Sequence, residues 1–348
     1  MKVVLTGDRG YIGTVLGPML LERGHELVGI DSDLFRACTF DGTLASYKTI
    51  TKDSRDIVRA DIEGADAIIH LAGLSNDPLG DYHPSLTEHI NQHASVQLAK
   101  LAKEVGVRRF LFASSCSNYG AAGNDFLDEH AAFNPVTPYG CSKVEVEREV
   151  AVLADEQFCP VFLRASTAYG FSPHLRFDLV INNLTAWAFT TGKVRLKSDG
   201  MPWRPVVHVE DIALAYIAAL EADESDVHND AFNVGVTSEN YRIRELAEIV
   251  REEVPGSEVT FASDAAPDKR NYRVDCNYIA RALPGFKPQW TARRGVRQLY
   301  KAFQKRGLTL EEFEGEAFNR IAHIKKLVSD GAIDNNLRYV QSLSLIHI

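Results

Sequence analysis

The chain is 348 residues long, 45% hydrophobic, and formally −9 at pH 7 from 38 basic and 47 acidic side chains. That length can bury one large core or two lobes, and an acidic balance without a basic stripe argues against a nucleic-acid partner. No apolar run reaches the roughly 18 residues of a membrane helix, and the start, "MKVVLTGDRG", has too short an apolar run for a signal peptide.

The first two-thirds alternates short apolar runs with longer amphipathic ones. "KVVLTG" reads as a buried strand, and "YIGTVLGPMLLERG" has helical spacing that ends at Gly24. "HELVGID", "YKTITKD" and "ADAIIHLAG" each predict a strand. A long helix follows in "SLTEHINQHASVQLAKLAKEVG", then a strand in "RRFLFASS". "PYGCSKVEVEREVAVLADEQ" predicts a helix opened near Pro138, and "CPVFLRAS" a further strand. This alternation implies an α/β fold, a Rossmann-type doubly wound parallel sheet with helices on both faces.

After about Tyr169 the rhythm changes. "RFDLVINNLTAWAFTTG" and "RIRELAEIVREEV" read as helices, with short strands "VRLK", "AFNVG" and "EVTFAS" around them. The expected division is a dinucleotide-binding domain over 1–170, with 206–235 returning to it. A smaller C-terminal α/β substrate lobe takes 171–205 and 236–330, and 331–348 is a tail. "EEFEGEAFNRIAHIKKLVSDG" reads as one helix, and "YVQSLSLIHI" as an apolar end.

In "TGDRGYIG", Gly7, Gly10 and Gly13 stand at G-x-x-G-x-x-G spacing, between the first strand and the first helix. Small residues let the backbone approach a pyrophosphate, and the helix N-terminus, with Tyr11 and Ile12, offers it N–H groups and positive dipole. Asp31 ends the second strand, where a carboxylate accepts hydrogen bonds from the adenosine ribose and repels a 2′-phosphate. NAD is therefore expected over NADP, although Arg36 nearby could soften that repulsion.

Tyr139 and Lys143 in "PYGCSK" lie four apart, on one face at the start of a helix. A phenol, with a reference pKa of about 10, is a poor base near neutrality. A neighbouring ammonium and a positively charged nicotinamide both favour the phenolate. His89 and His93 share helical spacing that could bind metal, but no third ligand accompanies them and no metal is expected. The five cysteines, Cys38, Cys116, Cys141, Cys159 and Cys276, form no C-x-x-C pair. They read as reduced thiols of a cytoplasmic protein.

Together, Thr6–Gly13, Asp31, "HLAG", Ser115 and Tyr139-x-x-x-Lys143 resemble the extended short-chain dehydrogenase/reductase family. The resemblance is to its NAD-dependent nucleotide-sugar epimerase/dehydratase branch, to which UDP-galactose 4-epimerase belongs, and covers about residues 1–290. It implies that Ser115, Tyr139 and Lys143 are catalytic, with Tyr139 as acid/base and Lys143 also holding the nicotinamide ribose. It further implies that Asp53 and Ser54 meet the adenine and that Leu71, Ala72 and Gly73 line the middle of the cofactor.

Substrate contacts would come from Ser115, from Thr167 (where sugar epimerases often carry Asn), and from Arg204 on the diphosphate. Arg270 and Arg273 are candidates for a second arginine. The resemblance also implies a homodimer through the helices at 85–106 and 138–157. Sugar 4,6-dehydratases carry an Asp-Glu pair where this chain has Cys116 and Ser117, so the reading is an epimerase with transient oxidation at the sugar 4-position. Alternatives are a ketoreductase or dehydrogenase, a different dehydratase, and a non-catalytic NAD-sensing protein. The intact Ser115, Tyr139 and Lys143 set speaks against the last.

Overall fold

The computed structural model of the chain describes residues 1–42, 44–75, 83–261 and 271–340. Seven strands build one parallel sheet: β1 (Lys2–Thr6), β2 (Glu26–Asp31), β3 (Lys48–Thr51), β4 (Ala67–His70), β5 (Arg109–Ser115), β7 (Cys159–Ala165) and β11 (Asp230–Val234). Their order is β11-β7-β5-β4-β1-β2-β3. The direction of winding reverses between β1 and β4, and in such sheets a crevice opens there, at the carboxyl ends of the strands.

Strand alternation sorts the two faces. Val3, Leu5, Ile69, Leu111 and Leu163 pack with Leu16 and Leu20 of helix α1 (Gly13–Glu22) and with the helix Val209–Glu221. Val4, Ile68, Phe110, Phe112 and Phe162 pack on the other face against Val96, Leu98, Val146 and Val150. Both faces are covered, which is why these strands read as continuous apolar runs.

Among the described residues, seven further strands lie outside this sheet. β8 (Thr167–Tyr169), β10 (Trp203–His208) and β12 (Asn240–Arg242) form one small sheet. β9 (Lys193–Leu196) pairs with β13 (Glu258–Phe261), and β6 (Ala121–Leu127) with β14 (Asn271–Val274). A second core gathers Phe40, Phe177, Leu184, Leu246, Val250, Leu299 and Phe303 around the helices Val180–Thr191, Ile243–Glu253 and Ala292–Arg306.

Several predicted helices are shorter than the sequence suggested. The helix expected over 85–106 is interrupted by a π-helical turn, Glu88–His93, ahead of its regular part Ala94–Glu104. The one opened at Pro138 stops at Ala151, and that after Arg176 begins only at Val180. The single C-terminal helix is two, Leu310–Glu314 and Arg320–Ser329. Gly315 leaves the first with extended backbone, and the Asn319 side chain accepts from Ala322 N to start the second. No described helix is long and apolar enough to cross a membrane.

Candidate active site

The crevice is a cavity of about 760 Å³. It is lined by Gly7, Gly10, Tyr11, Ile12, Gly13, Asp31, Asp53, Ser54, Leu71, Ala72, Gly73, Ser115, Tyr139, Lys143, Thr167 and Arg204, among others. Residues from Gly7 to Arg204 thus meet in one place. Arg270 lies outside the described residues. Arg273 does not line the cavity; its guanidinium lies 3.8 Å from the Phe126 ring centroid and 4.4 Å from that of Trp203.

The glycine loop fits a dinucleotide because Gly7 and Gly13 stand where a side chain has no room. Gly7 has φ +73°, and a Cβ there would sit 2.7 Å from Ala72 N. A Cβ on Gly13 would sit 2.3 Å from Gly7 O. The N-terminus of α1 therefore approaches the cavity as bare backbone, where a diphosphate can meet its N–H groups. Asp31 is fixed at the end of β2 by Asp33 N (2.7 Å) and Arg9 N (3.2 Å). Burial pushes its carboxyl up in pKa, so hydrogen bonds donated by a ribose diol would favour its charged form.

Tyr139 and Lys143 occupy the first turns of the helix Pro138–Ala151. Pro138 begins it, and Thr137 Oγ1 accepts from Gly140 N at 3.1 Å. Lys143 Nζ is 5.5 Å from the Tyr139 ring centroid and 4.6 Å from that of Phe112. Burial lowers the Lys143 pKa to about 8, and Glu147 opposes that shift. Ser115 Oγ accepts from Ser117 N at 3.1 Å, leaving its own hydroxyl proton to donate. Cys116 is not a nucleophile in waiting: it is buried, donates to Arg164 O at 3.1 Å, and burial pushes its thiol up to about 12.

Some residues in or beside the cavity escaped sequence reasoning. Asn91 clamps the loop after β4, accepting from Leu74 N (2.7 Å) and donating to Leu74 O (2.9 Å) beside Lys143. Arg176 is held by Asp178 (2.6 Å) and Ser75 Oγ (2.9 Å). Ser117 Oγ is buried without a hydrogen-bond partner, and Ser117 lines the cavity. The signal for Arg176 and Asp178 is "LRFD", two opposite charges in an apolar setting; Ser117 gave no signal beyond its place two residues after Ser115.

Among the described residues, one trio has metal-ligand spacing: Cys159, Glu224 and His228. Both Glu224 oxygens are engaged by Arg108, at 2.5 and 3.0 Å. His89 and His93 are exposed, with ring centroids 5.4 Å apart and Glu88 3.6 Å from His93.

A glycine-rich loop opening a helix, a carboxylate at the end of β2 and a Tyr–Lys pair at one switch point are the parts of a dinucleotide-dependent α/β enzyme. Residues 3–235 match the model of the NAD dependent epimerase/dehydratase family, and the chain belongs to that family. Its cofactor is NAD. The chain is 27% identical over 332 residues to the UDP-glucose 4-epimerase of Bacillus subtilis (strain 168), covering 86% of this chain and 94% of that protein. It is 26% identical over 329 residues to UDP-glucuronic acid decarboxylase 1 of Arabidopsis thaliana, covering 90% and 72%. A solved structure of MoeE5 in complex with UDP-glucuronic acid and NAD is similar at 25% identity and a TM-score of 0.76, covering 88% of this chain and all of that one.

Proposed function

We propose that the protein is a nucleotide-sugar epimerase that oxidises the sugar transiently at its fourth carbon and reduces it again on the other face. The observation that carries this reading is where the cavity's carboxylates are. Among the described residues lining it they are Asp31, Asp53 and Asp178. Asp31 and Asp53 sit at the ends of β2 and β3, across the sheet from Ser115 and Tyr139, and Asp178 is paired with Arg176. Expelling water from the sixth carbon needs an acid and a base beside the sugar. At that place stand Cys116, a buried thiol, and Ser117, a hydroxyl.

In this reading Tyr139 takes the proton of the 4-hydroxyl, and Ser115 donates a hydrogen bond to the reacting oxygen. Lys143 favours the phenolate by its charge. Bound NAD supplies the hydride acceptor and, on return, the donor. Arg204, buried and lining the cavity, pairs with the substrate diphosphate through charge-assisted hydrogen bonds. The relatives that act on or bind UDP-sugars support a UDP-linked substrate.

Incubation with NAD and either UDP-glucose or UDP-glucuronic acid, followed by mass spectrometry and proton NMR, tests the reading. An isomer of unchanged mass is expected. Loss of water or of carbon dioxide would replace epimerisation with dehydration or decarboxylation, and steady accumulation of NADH would make the protein a dehydrogenase.

Cofactor choice should follow Asp31. Wild type is expected to prefer NAD to NADP. Asp31→Ala should lose about 1.5–3 kcal/mol of NAD binding, the usual worth of hydrogen bonds to a charged group, and so narrow the preference. Titration calorimetry with both cofactors checks this; equal wild-type affinities would remove Asp31 from the role.

A further inference from the structure

Residues 320–340 lie beyond the segment matched by the family model, which ends at 235, yet they fold back across the cofactor crevice. Ile324, Ile333 and Leu337 bury themselves against Leu34, Leu74 and Ile90. Leu34 follows β2 and Leu74 follows β4, so the segment bridges two loops that border the crevice. Polar contacts pin it to the same rim. His323 Nε2 lies 3.0 Å from Leu34 O, and the Tyr339 hydroxyl donates to Asp33 O at 3.1 Å. Arg55 donates to Asn336 O at 2.8 Å, and Arg338 meets Asp56 and lies 3.7 Å from Asp53. The strap thus runs from the loop after Asp31 to the loop that carries Asp53.

Arg320 and Leu337 line the crevice itself. The Arg320 guanidinium lies 4.2 Å from the Phe35 ring centroid and, among the described residues, has no ion pair or hydrogen bond. Asp31 and Asp178 are within its electrostatic reach, but so is a second arginine, Arg176. Burial and then Arg176 pull its pKa down to about 10. Arg320 is thus held by a ring contact, with no carboxylate in ion-pair contact among the described residues, on the wall of a cavity that α1 enters by its N-terminus, and its guanidinium donors are left for an anionic ligand.

We propose that Arg320 is a cofactor-binding residue whose guanidinium donates to the dinucleotide's diphosphate, and that residues 320–340 cover the adenosine half of the crevice. The diphosphate then lies between the backbone N–H groups of α1 and a planar fork of donors suited to phosphate oxygens. The cover makes release of the cofactor depend on displacing Leu337 and its neighbours, so dissociation is slow. This rests on NAD as the cofactor and is independent of which sugar is transformed.

The test measures binding without turnover. In Arg320→Gln, Kd for NAD and for ADP-ribose should rise about tenfold or more, while Kd for adenosine and for UDP stays as in wild type. Arg320→Lys, which keeps the charge but not the fork, should fall between. Unchanged NAD affinity would overturn the assignment. An equal loss toward adenosine would make Arg320 a packing residue, and a loss confined to UDP would move it to the substrate. Thermal melting of the cofactor-free variants separates misfolding from lost contacts; if Arg320→Gln does not fold, the Lys variant decides. In Leu337→Ala, the rate at which excess unlabelled NAD chases bound labelled NAD should rise several-fold, and an unchanged rate would reject the cover.

Discussion

Tyr139→Phe is expected to lower turnover by about 10²- to 10⁴-fold, the range over which a positioned acid/base contributes. NAD affinity should change little, because the phenyl ring still fills its place in the cavity wall. The expectation comes from geometry as well as residue type. Thr137 and Pro138 fix the start of the helix, so Tyr139 and Lys143 emerge from adjacent turns on one face. Lys143 Nζ is buried between the Tyr139 and Phe112 rings, at 5.5 and 4.6 Å. With its pKa down at about 8, Lys143 is a cation below that pH and loses its charge above it. Support for the phenolate should therefore fade as pH rises through about 8, giving a descending high-pH limb in wild type. Near-normal turnover by the Phe variant, with unchanged cofactor binding, would take the proton-transfer role away from Tyr139.

What sequence could reveal of this site follows from how local each device is. The glycine loop, Asp31 and the Tyr–Lys pair are each written within a few residues, because a turn, a strand end and one helical turn are short-range objects. The sheet was legible for a related reason: a strand buried on both faces, such as Val3–Leu5 or Phe110–Phe112, must be continuously apolar. The ribbon of β6 and β14 was not legible. "AAGNDFL" has no clean alternation, "NYRV" alternates over only four residues, and the two pair across about 150 residues, as Asn271 with Ala121. The C-terminal segment was missed for the same reason. Arg320 sits in an ordinary basic stretch, and only the fold reveals that Ile324 and Leu337 anchor its segment on the crevice, within electrostatic reach of Asp31, some 290 positions earlier. The π-helical turn at Glu88–His93 also left no mark in the hydrophobic spacing, although it places Asn91 over the loop after β4.

Glu147→Gln should produce a large loss of stability for a single isosteric change. Four small groups in a row, Ser114 to Ser117, divide their work between the cavity and a polar network beneath it. Ser115 and Ser117 line the cavity, whereas the Ser114 hydroxyl is committed to Glu147. The same carboxylate receives Asn118 Nδ2 (3.0 Å) and Arg164, through Nε (3.0 Å) and Nη2 (2.6 Å). Arg164 also donates to the Tyr119 hydroxyl (3.1 Å), which in turn donates to Asn233 Oδ1 (2.8 Å). Helix 138–151, β5, β7 and β11 are thus tied through one buried ion pair, its side chains only 7% and 5% exposed.

Removing one charge from such a pair leaves the other uncompensated, at a cost of about 3–5 kcal/mol. Urea unfolding of Glu147→Gln should show that loss, and a second change, Arg164→Gln, should restore part of it. The catalytic consequence has a definite sign. Glu147 raises the proton affinity of Lys143, one turn away, against burial. Without Glu147, Lys143 loses its charge at a lower pH, so the high-pH limb of turnover should move down from its wild-type position. A variant that merely loosened the fold would lose active protein at every pH and leave the shape of the profile alone. Wild-type stability together with an unshifted profile would mean that this network neither locks the helix nor tunes the lysine.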